Sequence, residues 1–443
     1  MNSGHLWDRR FVWLNERAKW HFLIGVLVAS AMTVTLGHAK QGPGADDTPT
    51  LPQLKAFDDL MFEFRQREAF PGGALAILKD GRLVYARGFG YGDDREQMPV
   101  RATSLFRIAS ISKPLTAVAV LKLSEQGRVD LNAPVLKLLD IRPVTTPASA
   151  PDPRIEQITP LHLLQHTAGF DRSKSWDPML GHKRVADALG TSLPITSEQL
   201  IAYTLGQPLD FDPGTRFSYS NFGYLMLGHL IEKITGEAYE TYVQQEVLKP
   251  LGITSMRIGG SLLSDRADNE VMYFDTRERT GSGVVEGVIG QQVARPYGVE
   301  DMQLAAAGGG WIGSAIDVAR FGSAFDGTRR CPVLKPETVR FMFMPPSHLR
   351  QKQPKLPIDY ECCGWHVKLL SDNPPRFNYA KGGLMPGVST QLVCRADGVT
   401  FAVLFNADTG QSGQHLAAAV EGPLHKAADA IRRWPSGSLQ VHE

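Results

Sequence analysis

Ser110 and Lys113 are the residues whose types and spacing point most directly to chemistry, in the stretch Phe106-Arg107-Ile108-Ala109-Ser110-Ile111-Ser112-Lys113-Pro114-Leu115. Three apart, they share a face wherever the chain is helical. A serine hydroxyl is a weak nucleophile until something takes its proton, and a lysine does so if burial or a second cation keeps it neutral. Bringing a lysine from about 10.4 to about 7 destabilises its charged form by about 4–5 kcal/mol. A serine at a helix start also lies among backbone N–H groups with no partner inside the helix, and these can receive an oxyanion. Alone, Ser-x-x-Lys equally fits a helix-capping serine followed by a solvated lysine.

Two further stretches offer partners. In Phe217-Ser218-Tyr219-Ser220-Asn221-Phe222, a tyrosine and an asparagine two apart on a loop can point into one cleft. Tyr219 would relay a proton if a cation lies beside its phenol, and Asn221 would hold a substrate amide or carbonyl. In Tyr379-Ala380-Lys381-Gly382-Gly383-Leu384-Met385-Pro386-Gly387, a lysine followed by two glycines at a strand end lets a substrate lie against the backbone. Lys381 would supply positive charge that keeps Lys113 or Tyr219 deprotonated, or would bind a substrate carboxylate. The plain alternatives are a helix-start motif and a Gly-rich turn. His162 and His166 are one helical turn apart, but Leu163 stands where a zinc hydrolase needs its glutamate. No Gly-x-Ser-x-Gly elbow, phosphate loop or dinucleotide fingerprint occurs, so the reading requires no metal and no cofactor.

To meet in one crevice, these groups must be carried by distant elements. Residues 54–68 have apolar positions at helical spacing. Residues 73–78 and 83–88 form a hairpin around Lys79-Asp80-Gly81. Residues 115–125 are apolar on most sides and predict a central buried helix ended by Gly127. Thr159-Pro160 starts a helix, and Thr196 with Gln199 makes a capping box before 200–205. Residues 222–235 are an amphipathic helix ended by Gly236, and Ser314 with Asp317 caps a helix over 318–325. Residues 365–369, 377–380, 388–394 and 399–405 are β-rich runs, with a second hairpin turn at Ala396-Asp397-Gly398. Residues 423–433 read as a closing helix. The fold class is therefore α/β (α+β): a mainly antiparallel sheet from both chain ends, flanked by helices, with an all-helical region inserted.

The chain has 443 residues, 43% hydrophobic and 21% charged, which suits a globular protein with a large core. A net charge of +1 gives no nucleic-acid footprint; the partner expected is a small-molecule or peptide substrate. Arg9, Arg10, Arg17 and Lys19 precede an apolar run over 22–36 and the small-residue site Gly37-His38-Ala39. This is the layout of a signal peptide over 1–39, followed by a Gly/Pro/Asp-rich linker over 40–53. The expected location is periplasmic or secreted; the alternative is a membrane anchor over 22–37 left uncleaved. The main domain spans 54–435, with sheet residues about 54–110 and 360–435 and helical residues about 111–345. Cys331, Cys362, Cys363 and Cys394 allow three complete pairings, and buried free thiols serve as well. Segment 171–194 is long enough for a lid, and Trp176 within it is a candidate to line the cleft.

Taken in order, Ser110-Ile111-Ser112-Lys113, Tyr219-Ser220-Asn221 and Lys381-Gly382-Gly383 resemble motifs of the serine β-lactamase and penicillin-binding-protein family, in particular its class C branch. That branch carries Ser-x-x-Lys, Tyr-x-Asn and Lys/His-x-Gly. Leu163-Leu164-Gln165-His166-Thr167-Ala168-Gly169, Pro213-Gly214-Thr215-Arg216-Phe217, Gly308-Gly309-Gly310-Trp311 and Gly364-Trp365 are similar to the family as well. The resemblance implies a β-lactamase/transpeptidase-like fold and a serine hydrolase that forms an acyl-serine on β-lactam, D-alanyl peptide or ester substrates. It implies Ser110 as nucleophile, Lys113 as base, Tyr219 in proton return, Asn221 as a substrate contact and Lys381 as charge support. The oxyanion would lie between the N–H groups of Ser110 and Leu384, beside Gly382 and Gly383. Many β-lactam-cleaving members have Thr where Gly382 stands, which counts against efficient β-lactam recognition. The alternative within the same fold is a penicillin- or peptide-binding sensor that does not turn over.

Overall fold

Strands from the two ends of the chain build one sheet in the computed structural model, which describes residues 50–145, 150–350, 359–372 and 375–440. The expected signal peptide, the alternative anchor and residues 40–49 of the linker lie outside the described residues. β1 (Gly72–Lys79) and β2 (Arg82–Gly90) turn back on each other at Asp80-Gly81, where both residues take positive φ; an Asp-Gly pair adopts that conformation at low cost. β3 (Asp359–Cys362), β4 (Trp365–Asp372), β5 (Pro375–Met385), β6 (Val388–Cys394) and β7 (Val399–Phe405) complete the sheet. The order is β2-β1-β7-β6-β5-β4-β3, with every neighbouring pair antiparallel.

Five helices position the site: α1 (Lys55–Glu68), α2 (Ser112–Glu125), α3 (Asn221–Thr235), α4 (Ala315–Ser323) and α5 (Leu416–Asp429). Successive strand side chains point to opposite faces, so the sheet feeds two cores. Leu75, Ile77, Phe401, Val403 and Phe405 pack with Phe57 and Phe64 of α1 and Val420 and Leu424 of α5. The alternate residues Ala74, Ala76, Ala402 and Leu404 join the larger core with α2 and α4. The three alanines admit α4 close to β1 and β7. α2 is buried continuously from Ser112 through Leu121. Each large aliphatic side chain so buried contributes about 1.5–3 kcal/mol, which makes α2 a rigid platform.

Three details differ from the sequence expectation. The closing helix begins at Leu416, and Pro423 lies inside it. The stripe Leu416, Val420 and Leu424 is buried against the sheet, and that burial outweighs the loss of one helical N–H. Lys381 is not at a strand end but within β5, which runs on to Met385. The inserted region also carries two small sheets, one of Phe106–Arg107, Trp311–Gly313 and Arg257–Ile258, the other of Thr280–Ser282 and Gln292–Ala294. All four cysteines are free, with the Cys362 and Cys363 sulfurs 3.6 Å apart. Among the described residues no helix is long and apolar enough to cross a membrane.

Candidate active site

Ser110 sits in a 3-10 turn, Ala109–Ile111, between the short strand Phe106–Arg107 and α2. The α-helix itself starts two residues later than Ser110. Ala109 is forced to φ 48°, a left-handed conformation that costs a non-glycine residue on the order of 1 kcal/mol. The turn is held by Ile108 N–H donating to Trp311 O at 2.9 Å and Ser112 Oγ donating to Ala109 O at 2.7 Å. Pro114, third in α2, falls in the first turn, where its missing N–H has no helical acceptor to lose.

Lys113 is completely buried. Its Nζ lies 3.2 Å from Ser110 Oγ, 2.8 Å from Asn221 Oδ1 and 2.7 Å from Gly308 O. Two of these partners only accept. A neutral amine therefore gives its two N–H groups to Asn221 and Gly308 and keeps its lone pair for the Ser110 hydroxyl. Burial, reinforced by the Lys381 charge and opposed by Tyr219, lowers the Lys113 pKa. The geometry and the electrostatics thus favour the same protonation state.

Tyr219 arrives from the loop before α3, and its hydroxyl donates to Ser110 Oγ at 2.8 Å. Lys113 Nζ and Lys381 Nζ lie 4.9 and 5.1 Å from its ring centre. Burial alone would raise the phenol pKa; its interactions with Lys113 and Lys381 outweigh it and lower the value. The Arg172 guanidinium covers the ring at 5.3 Å. Asn221 is the first residue of α3 and not a free loop residue, with Ser220 Oγ capping the helix at Gly223 N.

His166 holds this loop in place. It adopts φ 56°, accepts the Ser220 N–H at Nδ1 (3.2 Å), and its carbonyl accepts the Ser218 N–H (2.8 Å). Its ring lies 4.5 Å from that of Tyr219. Burial first, and the Lys381 charge next, push its pKa well below the usual histidine value, so it stays neutral. His162, the other residue of the pair, serves the capping box of the turn that begins at Thr159.

Lys381 is buried and bonds Glu361 Oε2 at 2.9 Å. Burial alone would lower the Lys381 pKa; Tyr219 and Glu361 override it and raise the value. Burial would raise the Glu361 carboxyl, but Lys381 and His366 hold it down at about 2. On the same strand, a Cβ added to Gly383 would stand 2.3 Å from Ile108 O and 2.3 Å from Thr390 Oγ1. Only glycine lets β5 come this close to the turn that carries Ser110. A Cβ at Gly382 would meet only the end of the Gln391 side chain, at 2.8 Å.

Ser110, Asn221 and Leu384 line one cleft of about 440 Å³. The segment after Asp171 supplies part of its wall through Arg172, Met179, Leu180 and His182. Trp176 does not line it; the indole packs on Tyr203 (5.9 Å) and under Arg184 (4.4 Å). The structure therefore brings together Ser110, Lys113, Tyr219, Asn221 and Lys381, with Gly383 and Leu384 on the adjoining strand. Sequence reasoning missed Glu361, Arg172 and the lysine-binding carbonyl of Gly308. The last lies in a run of three glycines, a visible signal for close backbone approach. A lone glutamate before Cys362 gives no such signal.

The sequence profile of the Beta-lactamase family matches residues 57–422. Esterase EstB of Burkholderia gladioli is 33% identical over 301 residues, 65% of this chain and 73% of the esterase. A probable fimbrial assembly protein FimD, serogroup H1, of Dichelobacter nodosus is 29% identical over 359 residues, 81% of this chain and 80% of its own. Among solved structures, the octameric penicillin-binding protein homologue from Pyrococcus abyssi aligns with a TM-score of 0.59 at 25% identity, covering 84% of this chain and 77% of that one.

Proposed function

The chain belongs to the Beta-lactamase family and is a serine hydrolase of amide or ester carbonyls, and we propose that Ser110 is its nucleophile and that hydrolysis passes through an acyl-serine. One observation carries this reading: the Ser110 hydroxyl is within hydrogen-bond distance of both a buried amine, Lys113, and a phenol, Tyr219. Lys113 takes the Ser110 proton as Oγ bonds to the substrate carbonyl carbon. The resulting oxyanion sits against the N–H groups of Ser110 and Leu384, and Asn221 turns its NH2 to the substrate. The tetrahedral species collapses, the bond to the leaving group breaks, and the proton held by Lys113 passes to that group by way of Tyr219. Water then adds to the acyl carbon, gives its proton to the same pair, and Ser110 regains its hydroxyl as the acid leaves.

The substrates we propose are simple esters and amides rather than an antibiotic repertoire, because Gly382 lacks the hydroxyl of the β-lactam-cleaving pattern. We also assign residues 1–39 to an export signal, which places the domain in the periplasm or outside the cell; N-terminal sequencing of the mature protein should then begin after Ala39. The test of function is time-resolved labelling with a fluorophosphonate and a fluorescent penicillin, run beside hydrolysis of short acyl esters, nitrocefin and D-Ala-D-Ala peptides. Transient labelling with product release is expected, and Ser110→Ala should remain folded and unlabelled. Labelling retained in Ser110→Ala would refute the nucleophile assignment, and a label that persists without product would indicate a binding protein.

A further inference from the structure

Lys381 is a buried cation beside Lys113 and Tyr219 that a substrate carboxylate would be expected to use, and the structure shows it already paired with a carboxylate. Its Nζ is 2.9 Å from Glu361 Oε2, and its side chain is only 4% exposed. Glu361 is itself braced from behind. Its other oxygen lies 3.7 Å from His366 Nδ1, and His366 Nε2 lies 2.7 Å from Asp359. The Glu361–Lys381 pair is thus charge-neutral and fixed by a cross-strand chain on β3 and β4. A substrate anion at Lys381 would meet a cation whose charge Glu361 already balances, with the Glu361 carboxylate beside it, so the attraction it feels is largely cancelled.

Other polar positions of the cleft are also engaged or bare. Gly382 offers no hydroxyl, and the carbon it lacks would point to Gln391. Arg279 is bound to Asp275 at 2.9 Å and to Asp408 at 3.0 Å, and Arg172 lies 3.6 Å from Asp177. Arg277 and Arg295 also line the cleft, as do Glu300 and Asp301. Exposed apolar side chains line the cleft too: Leu180 is 63% exposed and Leu384 49%, and Met179 and Met385 join them.

We infer that Glu361 is a specificity-determining residue: by balancing the charge of Lys381 it weakens that lysine as an anion receptor, and the enzyme selects acyl donors that carry no carboxylate. This rests on the serine-hydrolase reading above. It is specificity by an element that disfavours the wrong substrate, as an engaged charge does.

The test compares phenyl butyrate with 3-carboxyphenyl butyrate, which puts one carboxylate on the leaving group, and with phenyl hydrogen succinate, which puts it on the acyl side. Rates are divided by those of hydroxide-catalysed hydrolysis. At pH 6.5, well below the ordinary lysine range, the wild type is expected to favour the uncharged ester in kcat/KM by about tenfold or more. Glu361→Gln, which keeps the shape and drops the charge, is expected to move at least one of these ratios about tenfold towards the carboxylate ester, while Glu361→Asp keeps the wild-type preference. The inference is overturned if the wild type takes either carboxylate ester as well as phenyl butyrate, a result that needs no variant. It is also overturned if folded Glu361→Gln keeps both ratios. Failure of all three esters to undergo Ser110-dependent hydrolysis would defeat the hydrolase reading instead, and is distinguishable because neither ratio would exist.

Discussion

Replacing Gly383 by alanine adds one carbon to β5 where that strand crosses the turn that carries Ser110. The new Cβ would lie 2.3 Å from Ile108 O and 2.3 Å from Thr390 Oγ1, with the Ala109 Cβ at 3.1 Å. An ordinary contact begins at about 3.4 Å, so strand and turn must separate by about 1 Å. Neither obstacle yields easily. Ile108 O is backbone, and its own N–H is tied to Trp311 O; Thr390 Oγ1 donates to that same Ile108 carbonyl at 3.1 Å. The displacement falls between Ser110 and Leu384, whose N–H groups are proposed to hold the oxyanion. A misplacement of about 1 Å, or the loss of one such donor, costs about a hundredfold in rate, whereas overpacking costs about 1–3 kcal/mol of stability. Gly383→Ala is therefore expected to remain folded by circular dichroism while kcat/KM on a neutral phenyl ester drops about a hundredfold or more. Gly382→Ala is the control. Its added carbon meets only the movable Gln391 amide at 2.8 Å, so its kcat/KM should stay within about twofold of wild type. Near-wild-type turnover by Gly383→Ala, or equal damage from the two substitutions, would refute the proposed placement of β5 against the acylation centre.

Other outcomes follow from the same geometry. Lys113→Arg should lose at least about a thousandfold in kcat/KM, because a guanidinium is never a neutral base at working pH; retention of a tenth of the wild-type rate would make Lys113 a charge anchor only. With wild-type Lys113, the acid limb of the kcat/KM profile should lie below the ordinary lysine range, since burial lowers its pKa, and activity should fall as pH drops through that lowered value. Because Glu361 opposes that lowering, Glu361→Gln should move the limb further down, and an upward move would contradict the assignment. Buried His166 is held neutral with a pKa well below 6.5, so the unfolded chain binds the extra proton first. Folding stability should then fall as pH drops below about 6.5, by up to about 1.4 kcal/mol per unit from this residue. Urea unfolding at several pH values should show that component disappear in His166→Asn, and an identical pH slope in both proteins would count against it.

The sequence by itself determined the elements with local causes. Asp80-Gly81 turns the first hairpin because both residues accept positive φ, Thr196 with Gln199 caps a helix, and Gly236 ends α3 in the left-handed conformation. A run rich in β-branched and aromatic residues marked 399–405 as a strand, and the three short motifs were legible because of their order and context taken together. Tertiary structure decided what no spacing carries. Pro423 lies within α5 because Val420 and Leu424 are buried on the sheet, a long-range gain that overrides a local breaker. Trp176 packs on Tyr203 and leaves the cleft wall to Met179 and Leu180. The partner of Lys381 is Glu361, 20 residues away along the chain and reached only across the paired strands β3, β4 and β5. The charge a substrate meets at Lys381 depends on that pairing, since an ion pair's strength is set by distance and burial, and both arise only when the sheet closes.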